Sequence, residues 1–279
     1  VFYYELKQLG VKNIYYLPLA VNTDRLNSQL NSQTREEKDR FSADISFVGS
    51  MYHKNSYDDI KDKLPPYLRG YFDAAMLAQL NIYGDNIIDE LLTVDILKQL
   101  SEFVDFRQDK RAFSDIRLVF ESTFLGFKLA NIERVKTLNL LAKKNKVALY
   151  TDEQDTSLIN VDFKGTVDYM NDMPKVFNNS SINLNMTIRN IRTGIPLRVW
   201  DILGAGGFLL TNYQIELTDY FKNEESIVYY EDMYDCCKKA EYYLLHEDKR
   251  RQIAAKGHEL VSKKHSYINR VKYILDVNW

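Results

Sequence analysis

At 279 residues the chain exceeds one average domain and can bury a sizeable core. Hydrophobic residues make up 45% of it and charged residues 27%, an ordinary globular balance that excludes disordered and fibrous classes. Lys plus Arg number 37 and Asp plus Glu 39, a net charge of −2, so no global basic field draws nucleic acid or anionic membrane and any anionic ligand must be met by a local site.

The chain opens with a predicted helix over Val1–Leu9 that Gly10 stops. Asn13–Leu17 (NIYYL) reads as a strand running into Pro18 and a turn at Asn22–Arg25. Asn27–Arg40 is polar and nearly free of large apolar residues, which marks it as the linker. A new strand, Asp44–Val48, closes on Gly49-Ser50, a tight turn that can bring backbone N–H groups toward a ligand. From Tyr57 to about Lys144 apolar residues recur at three- and four-residue spacing, as in Ile88, Leu91, Leu92, Ile96, Leu97 and Leu100, which predicts a region nearly all helix. Strands are then expected at Lys146–Tyr150, Asn160–Phe163, Ser181–Asn185, Phe208–Thr211 and Ser226–Tyr230, separated by helical spacers. That alternation points to an α/β fold built on a doubly wound parallel sheet. From Met233 the tail is helical, with Tyr234, Cys237, Tyr243 and Leu244 on an apolar face and breaks expected near Gly257 and Lys264–His265.

The most informative stretch is Asn183–Thr211. Its strand ends in a polar loop carrying Asn185, Thr187 and Arg189, and Pro196 suits the first turn of a short helix because its missing N–H would have no partner there. Arg198 and Asp201 share one face of that helix, and Gly204, Gly206 and Gly207 lead into the next strand. A helix N-terminus with an arginine and a hydroxyl at the carboxyl end of a parallel strand is where such folds hold phosphate. An ordinary αβ connection with a solvated arginine fits the spacing equally. Asp201, one turn along, is placed to accept bonds from ribose hydroxyls; a salt bridge to Arg198 is its structural alternative.

Other chemistry is thinly represented. His53, His246, His258 and His265 have no spacing that gathers metal ligands. Only His53, after the Gly49-Ser50 turn, occupies a position where functional and solvated readings are comparable. No nucleophile elbow, Walker loop, zinc-protease motif or dinucleotide fingerprint occurs. The basic residues between Lys249 and Lys264 alternate with acids as on a solvated helix face. Cys236 and Cys237 are adjacent, which rarely permits a disulfide and favours a reducing, cytoplasmic setting. No apolar run of about 18 residues is present, and the first ten residues lack signal-peptide or transit-peptide character. The 20 Tyr and 14 Phe read mainly as the composition of an AT-rich genome, a sugar-stacking surface being the lesser reading.

The residues from about Val161 to Ile274 resemble the CgeB-like (spore maturation) glycosyltransferases of the GT-B superfamily. The likeness lies in FKGTVDYMNDMP, INLNMTIRNIRTGIPLRVWDILGAGGFLLTN, ELTDYF, SIVYYED, YYLLHEDKRRQIAAKG and HSYINR, with GIPLRVWDILGAGG the most specific. NIYYLPLAVN and DISFVGSM resemble the end of a first Rossmann-like domain and the start of the second. The resemblance implies the C-terminal, donor-binding half of a GT-B fold: residues 1–40 as a remnant of the first domain plus linker, and 41–279 as a Rossmann-like nucleotide-sugar domain with a helical insert over about 57–144. It further implies transfer of a sugar from a nucleotide-sugar donor, a UDP-sugar above others, with no cofactor and no metal, to an acceptor that is a glycan, a protein or a small molecule.

Matched residue by residue, the resemblance puts Asp201 on the donor ribose, Thr193, Gly194, Ile195 and Arg198 at the diphosphate, and Gly49 and Ser50 at the phosphates. Tyr150, Thr151 and the Lys164–Val167 loop fall where the base is read. Arg198 would stabilise the departing diphosphate. Many retaining relatives carry a second acid eight positions before the ribose-binding one; Thr193 stands there, so retention of the anomeric centre has no support. Most of the first domain would precede Val1, so this stretch alone is expected to bind nucleotide weakly and to transfer sugar poorly or not at all. Two other classes remain open: a non-catalytic nucleotide-binding module, and a scaffold acting through the helical insert.

Overall fold

The computed structural model describes residues 3–8, 10–105, 116–191 and 193–277. Residues 1, 2 and 9 of the expected first helix and 106–115 of the helical region lie outside the described residues. The chain begins with α1 (Tyr3–Gln8), α2 (Thr23–Asn31) and α3 (Arg35–Arg40), followed by β1 (Ala43–Val48). The helical region then contains α4 (Ser56–Ile60), α5 (Pro66–Gln79), α6 (Ile88–Leu91), α7 (Val94–Ser101) and α8 (Ile116–Val119). A π-helical turn over Phe120–Gly126 joins α8 to α9 (Phe127–Leu141). Next come β2 (Val147–Tyr150), β3 (Asp162–Gly165), α10 (Met173–Asn179), β4 (Ser180–Asn185), α11 (Leu197–Gly204) and β5 (Leu209–Asn212). The remainder is α12 (Leu217–Tyr220), β6 (Val228–Tyr230), α13 (Met233–Leu245), α14 (Glu247–Lys264) and α15 (Tyr267–Asp276).

The six strands form one parallel sheet in the order β3-β2-β1-β4-β5-β6. Both faces are covered, as parallel sheets require. On one side Val48, Tyr150 and Leu209 pack with Leu26, Val176, Val199, Trp200 and Leu203. On the other Ile45, Phe47, Leu149, Leu184 and Leu210 pack with Leu138, Leu141, Cys236, Ala240 and Tyr243. The fold is therefore the expected doubly wound, Rossmann-like α/β sheet. The region between β1 and β2 builds a third core of its own from Tyr57, Leu68, Phe72, Met76, Leu100, Phe120 and Leu129.

Several elements differ from the sequence reading, each for a local reason. The strand expected over Asn13–Leu17 does not form. The segment instead lies against the far end of the chain, where Arg270 Nε donates to Pro18 O at 2.9 Å and Arg270 Nη2 donates to Leu19 O at 3.0 Å. The polar Asn27–Arg40 stretch is not loop but most of α2 and all of α3. Asn22 caps α2, and a reciprocal Thr34/Glu37 capping box starts α3. One apolar anchor, Leu26, is buried and holds α2 to the core.

β3 begins two residues later than expected because Asn160 has φ 58°, a left-handed conformation that a strand cannot contain. Pro196 caps α11 from outside rather than occupying its first turn. α14 passes through Gly257 without a break. A Cβ there would lie 2.4 Å from Ser226 O and 2.8 Å from Leu203 Cδ2, so the glycine serves close contact with the loop before β6 and with α11 rather than helix termination. The break falls earlier, at His246, and again at His265 as expected.

Trp200 is fully buried on α11 beside Phe221 (5.4 Å between centroids) and His265 (5.0 Å). His265 Nδ1 accepts from Arg270 Nη2 at 2.9 Å, and burial pushes its imidazole pKa down to about 4, with Arg270 and Lys264 adding to the effect. Among the described residues no helix is long and apolar enough to cross a membrane.

Candidate functional site

The strands following β1 extend to one side of it and β4, β5 and β6 lie to the other, so the order reverses between β1 and β4. At such a switch point the connecting chains leave in opposite directions and open a crevice at the carboxyl ends of the strands. Here that crevice is a cleft of about 250 Å³. Its walls are the turn after β1 (Gly49, Ser50, Tyr52), the end of β4 (Asn185, Met186, Thr187, Ile188), the start of α11 (Pro196, Leu197, Arg198) and Arg134 from α9.

Of the residues expected at a donor site, the cleft brings together Gly49, Ser50, Asn185, Thr187 and Arg198. The Gly49 amide continues the sheet ladder, donating to Tyr150 O at 3.0 Å. A Cβ at Gly49 would lie 3.3 Å from Phe47 Cζ and 3.7 Å from Arg198 Nη1, so the bare backbone turn packs directly beside that guanidinium. Ser50 Oγ accepts from the Tyr52 amide at 3.2 Å, which leaves the hydroxyl proton free to donate. Asn185 and Thr187 are buried and mutually bonded: Asn185 Nδ2 donates to Thr187 Oγ1 at 3.0 Å and to Thr211 Oγ1 at 2.9 Å, while Asn212 bonds both backbone groups of Thr187. They form a rigid floor.

The other expected residues lie outside the cleft lining. Ile195 is buried in the core. Gly194, at φ 93°, donates its amide to Glu216 Oε2 at 2.5 Å, and Glu216 Oε1 accepts from the Tyr16 hydroxyl. Thr193 precedes it on the same loop. Tyr150 is buried in the sheet, and Thr151 donates its amide to Gly165 O at 3.0 Å, beside the Lys164–Val167 loop. His53 Nε2 sits 2.5 Å from Glu153 Oε2, and Lys54 pairs with the other oxygen of Glu153 at 2.6 Å.

Asp201 faces a second, smaller cavity with Arg25, Tyr169 and Met173, and accepts from the Tyr169 hydroxyl at 3.3 Å. Burial raises its pKa to about 6, the Tyr169 bond and the charge of Arg198 opposing. Among the described residues no ion pair joins Asp201 to Arg198.

Arg198 enters the cleft from the start of α11. Its Nη1 is buried with no hydrogen-bond partner. Burial lowers its pKa and nearby Arg134 lowers it further. Arg134, also buried, donates from Nη1 to Ser50 O and from Nη2 to Met186 O at 2.6 Å. Its guanidinium lies 4.8 Å from the centroid of Tyr52, which adopts φ 51° and stacks on Phe127 at 4.5 Å. A tyrosine in the left-handed region persists only where its surroundings hold it. Among the described residues no Asp or Glu lines the cleft. Two guanidiniums therefore line one cleft while the carboxylates nearest them, Asp201 and Glu133, lie outside its lining, which is the arrangement of an anion site.

Sequence reasoning missed Arg134 and Tyr52. A signal for Arg134 exists: Ala130, Glu133, Arg134, Thr137, Leu138 and Leu141 recur at the spacing of a buried stripe, and all are buried. Charged residues on such a stripe need partners. Glu133 finds Arg189 at 2.7 Å, both nearly inaccessible, and Arg189 lies 3.4 Å from the ring centroid of Tyr83. Burial pushes the Glu133 carboxyl up, while Arg189 and Arg134 oppose.

No curated protein matches the chain significantly. Among solved structures it is similar to a glycosyltransferase from Rickettsia africae, with 12% identity over 97% of this chain and 60% of that one and a TM-score of 0.49. It is also similar to trehalose-6-phosphate synthase OtsA (13% identity, 93% and 50% covered, TM-score 0.47). A third is Anabaena HepE, solved with UDP-glucose (11% identity, 51% and 43% covered, TM-score 0.43). The chain thus spans less than two thirds of each. The profile of the glycosyl transferase-like family matches residues 132–276, from the helix that carries Arg134 through the cleft to the last helix. That match covers just over half of the chain, and the chain belongs to the glycosyl transferase-like family.

Proposed function

We propose that this chain is the donor-binding part of a GT-B glycosyltransferase of the CgeB-like kind, which transfers a sugar from a nucleoside diphosphate sugar, a UDP-sugar first among them, to an acceptor hydroxyl without a metal ion. In this reading residues 41–279 form the donor domain and 1–40 are a remnant of an N-terminal domain plus linker, packed on the donor domain through Leu26. The observation that carries the proposal is the Arg198 guanidinium, with Nη1 buried and unpartnered in a switch-point cleft whose described lining holds a second arginine and no acid. Like charges held there repel until an anion enters, and a diphosphate brings the charge that a metal would otherwise have to balance.

In the reaction the acceptor oxygen bonds to the anomeric carbon, the bond from that carbon to the diphosphate oxygen breaks, and the acceptor proton leaves to a base. The leaving diphosphate gains negative charge. Arg198, the Ser50 hydroxyl and the first-turn N–H groups of α11 are arranged to stabilise that charge, and their value lies in being oriented before the reaction. Asp201 and Tyr169 take the ribose hydroxyls, and the Lys164–Val167 loop, backed by buried Tyr150 and Thr151, reads the base. Asn185 and Thr187 support the floor. The Thr193–Ile195 loop contributes shape, since the Gly194 amide is held by Glu216. His53 is tied to Glu153 and receives no role.

Calorimetric titration of the chain with UDP, GDP and their sugar conjugates, with EDTA and then with magnesium, tests the reading. One nucleotide binding equally well with EDTA and with magnesium is the expected result. Binding of none by the folded chain, or binding only with the metal, refutes it as stated.

A further inference from the structure

The carboxyl edge of a parallel sheet presents strand carbonyls to the crevice, and carbonyl oxygens repel phosphate. Ser50 O and Met186 O lie on opposite walls of the switch-point cleft, one beyond β1 and the other beyond β4. A single guanidinium takes both of them, Arg134 Nη1 on Ser50 O and Nη2 on Met186 O, and so ties the two walls together through one planar group. The same turn of α9 adds two further ties. Asn131 Nδ2 donates to Met51 O at 2.9 Å on the β1 side, and Glu133 holds Arg189 at 2.7 Å on the β4 side.

Resting on the donor-site reading above, we infer that Arg134 is a positioning residue of the diphosphate subsite, bridging the Ser50 and Met186 carbonyls so that their dipoles are satisfied and its own positive charge stands beside Arg198. Among the described residues lining the cleft no carboxylate opposes that charge, Glu133 acting on it from outside, and Arg134 Nε is buried without an acceptor. Arg134 therefore both sets the width of the crevice and adds to its field. Lysine retains the charge but, as a point donor without the planar fork, cannot bridge two carbonyls in fixed directions. The role belongs to the diphosphate alone: the Asp201 cavity, where ribose is placed, has none of these residues in its lining.

The test compares UDP with UMP in calorimetric titrations of the wild-type chain and of Arg134→Lys. The expected result is a UDP-to-UMP affinity ratio lowered at least about tenfold, as for loss of a hydrogen-bonded charged group, with UMP affinity nearly unchanged. Equal weakening of both nucleotides, as a merely structural role would give, or an unchanged ratio overturns the inference. A second measurement covers a variant that fails to fold: the wild-type chain labelled with 15N-arginine is titrated with inorganic pyrophosphate and its Nε–H signals are followed by NMR. Movement of the Arg134 signal together with that of Arg198 supports the inference, and an unmoved Arg134 signal overturns it. If UDP and UMP both fail to bind the wild-type chain, the donor reading falls, and the pyrophosphate titration alone decides for or against Arg134.

Discussion

Replacing Arg198 by Met should move stability and binding in opposite directions. Methionine keeps the unbranched stem that packs at the start of α11 and removes a guanidinium whose Nη1 is buried and unbonded and whose charge only Asp201, among nearby carboxylates of the described residues, partly offsets. Burying an ion costs several kcal/mol unless it is paired, so removing one stabilises the ligand-free chain by about 1–2 kcal/mol. For domains of 150–250 residues that corresponds to a Tm higher by roughly 2–8 °C. A diphosphate loses its charge-assisted bonds to the same group, about 1.5–3 kcal/mol, so UDP binds roughly 10–150-fold more weakly. Differential scanning calorimetry and titration on the same preparations read both quantities. A lower Tm with unchanged UDP affinity would refute the reasoning, because Arg198 would then be a packed structural residue rather than an uncompensated charge awaiting an anion.

Asp201→Asn should abolish a pH dependence. The folded-state pKa is raised from 3.8 to about 6, so the folded chain holds the proton more tightly, and stability is lost as pH rises through the window from about 4 to 6. Relative to wild type, the Asn variant should gain at most about 3 kcal/mol above that window and nothing below it; an equal Tm difference at pH 4 and pH 7.5 counts against the assignment. Gly257→Ala should destabilise by about 1–3 kcal/mol despite the better helix propensity of alanine, because its methyl meets Ser226 O. A helix-breaking glycine would give stabilisation instead, and chemical denaturation distinguishes the two. Glu133→Leu should cost about 3–5 kcal/mol by stranding Arg189, and adding Arg189→Met should recover most of it; additive losses in the double mutant would show that the two do not act as a pair.

What could be read from the sequence follows from burial. Buried apolar residues mark β1, β2, β4 and β5, as short runs in β1, β2 and β5 and as the alternating Ile182 and Leu184 in β4, which is why these strands are legible to within a residue or two. β3 sits at the sheet edge with Asp162 and Lys164 turned outward, and its signal was correspondingly weak. α2 and α3 bury little besides Leu26, so they looked like a linker even though their caps, Asn22 and the Thr34/Glu37 box, were present in the sequence. NIYYL had the composition of a strand, but the carbonyls at Pro18 and Leu19 went to Arg270, a partner 252 residues from Pro18 that no local pattern announces. The cleft was half legible for the same reason. Arg198, Asn185, Thr187, Gly49 and Ser50 adjoin the ends of two recognisable strands, whereas Arg134 reaches Ser50 across 84 residues and belongs to a helix whose buried charges only make sense once their partners are seen.

The carboxylate of Glu216 has a consequence for motion. One oxygen is held by the hydroxyl of Tyr16, near the beginning of the chain, and the other by the amide of Gly194, just before the helix that carries Arg198. A single negative charge is thereby divided between two donors, so a shift that lengthens one bond strengthens the other. The leading segment and the loop ahead of α11 are coupled through one side chain, and whatever displaces the first changes how firmly the second is held.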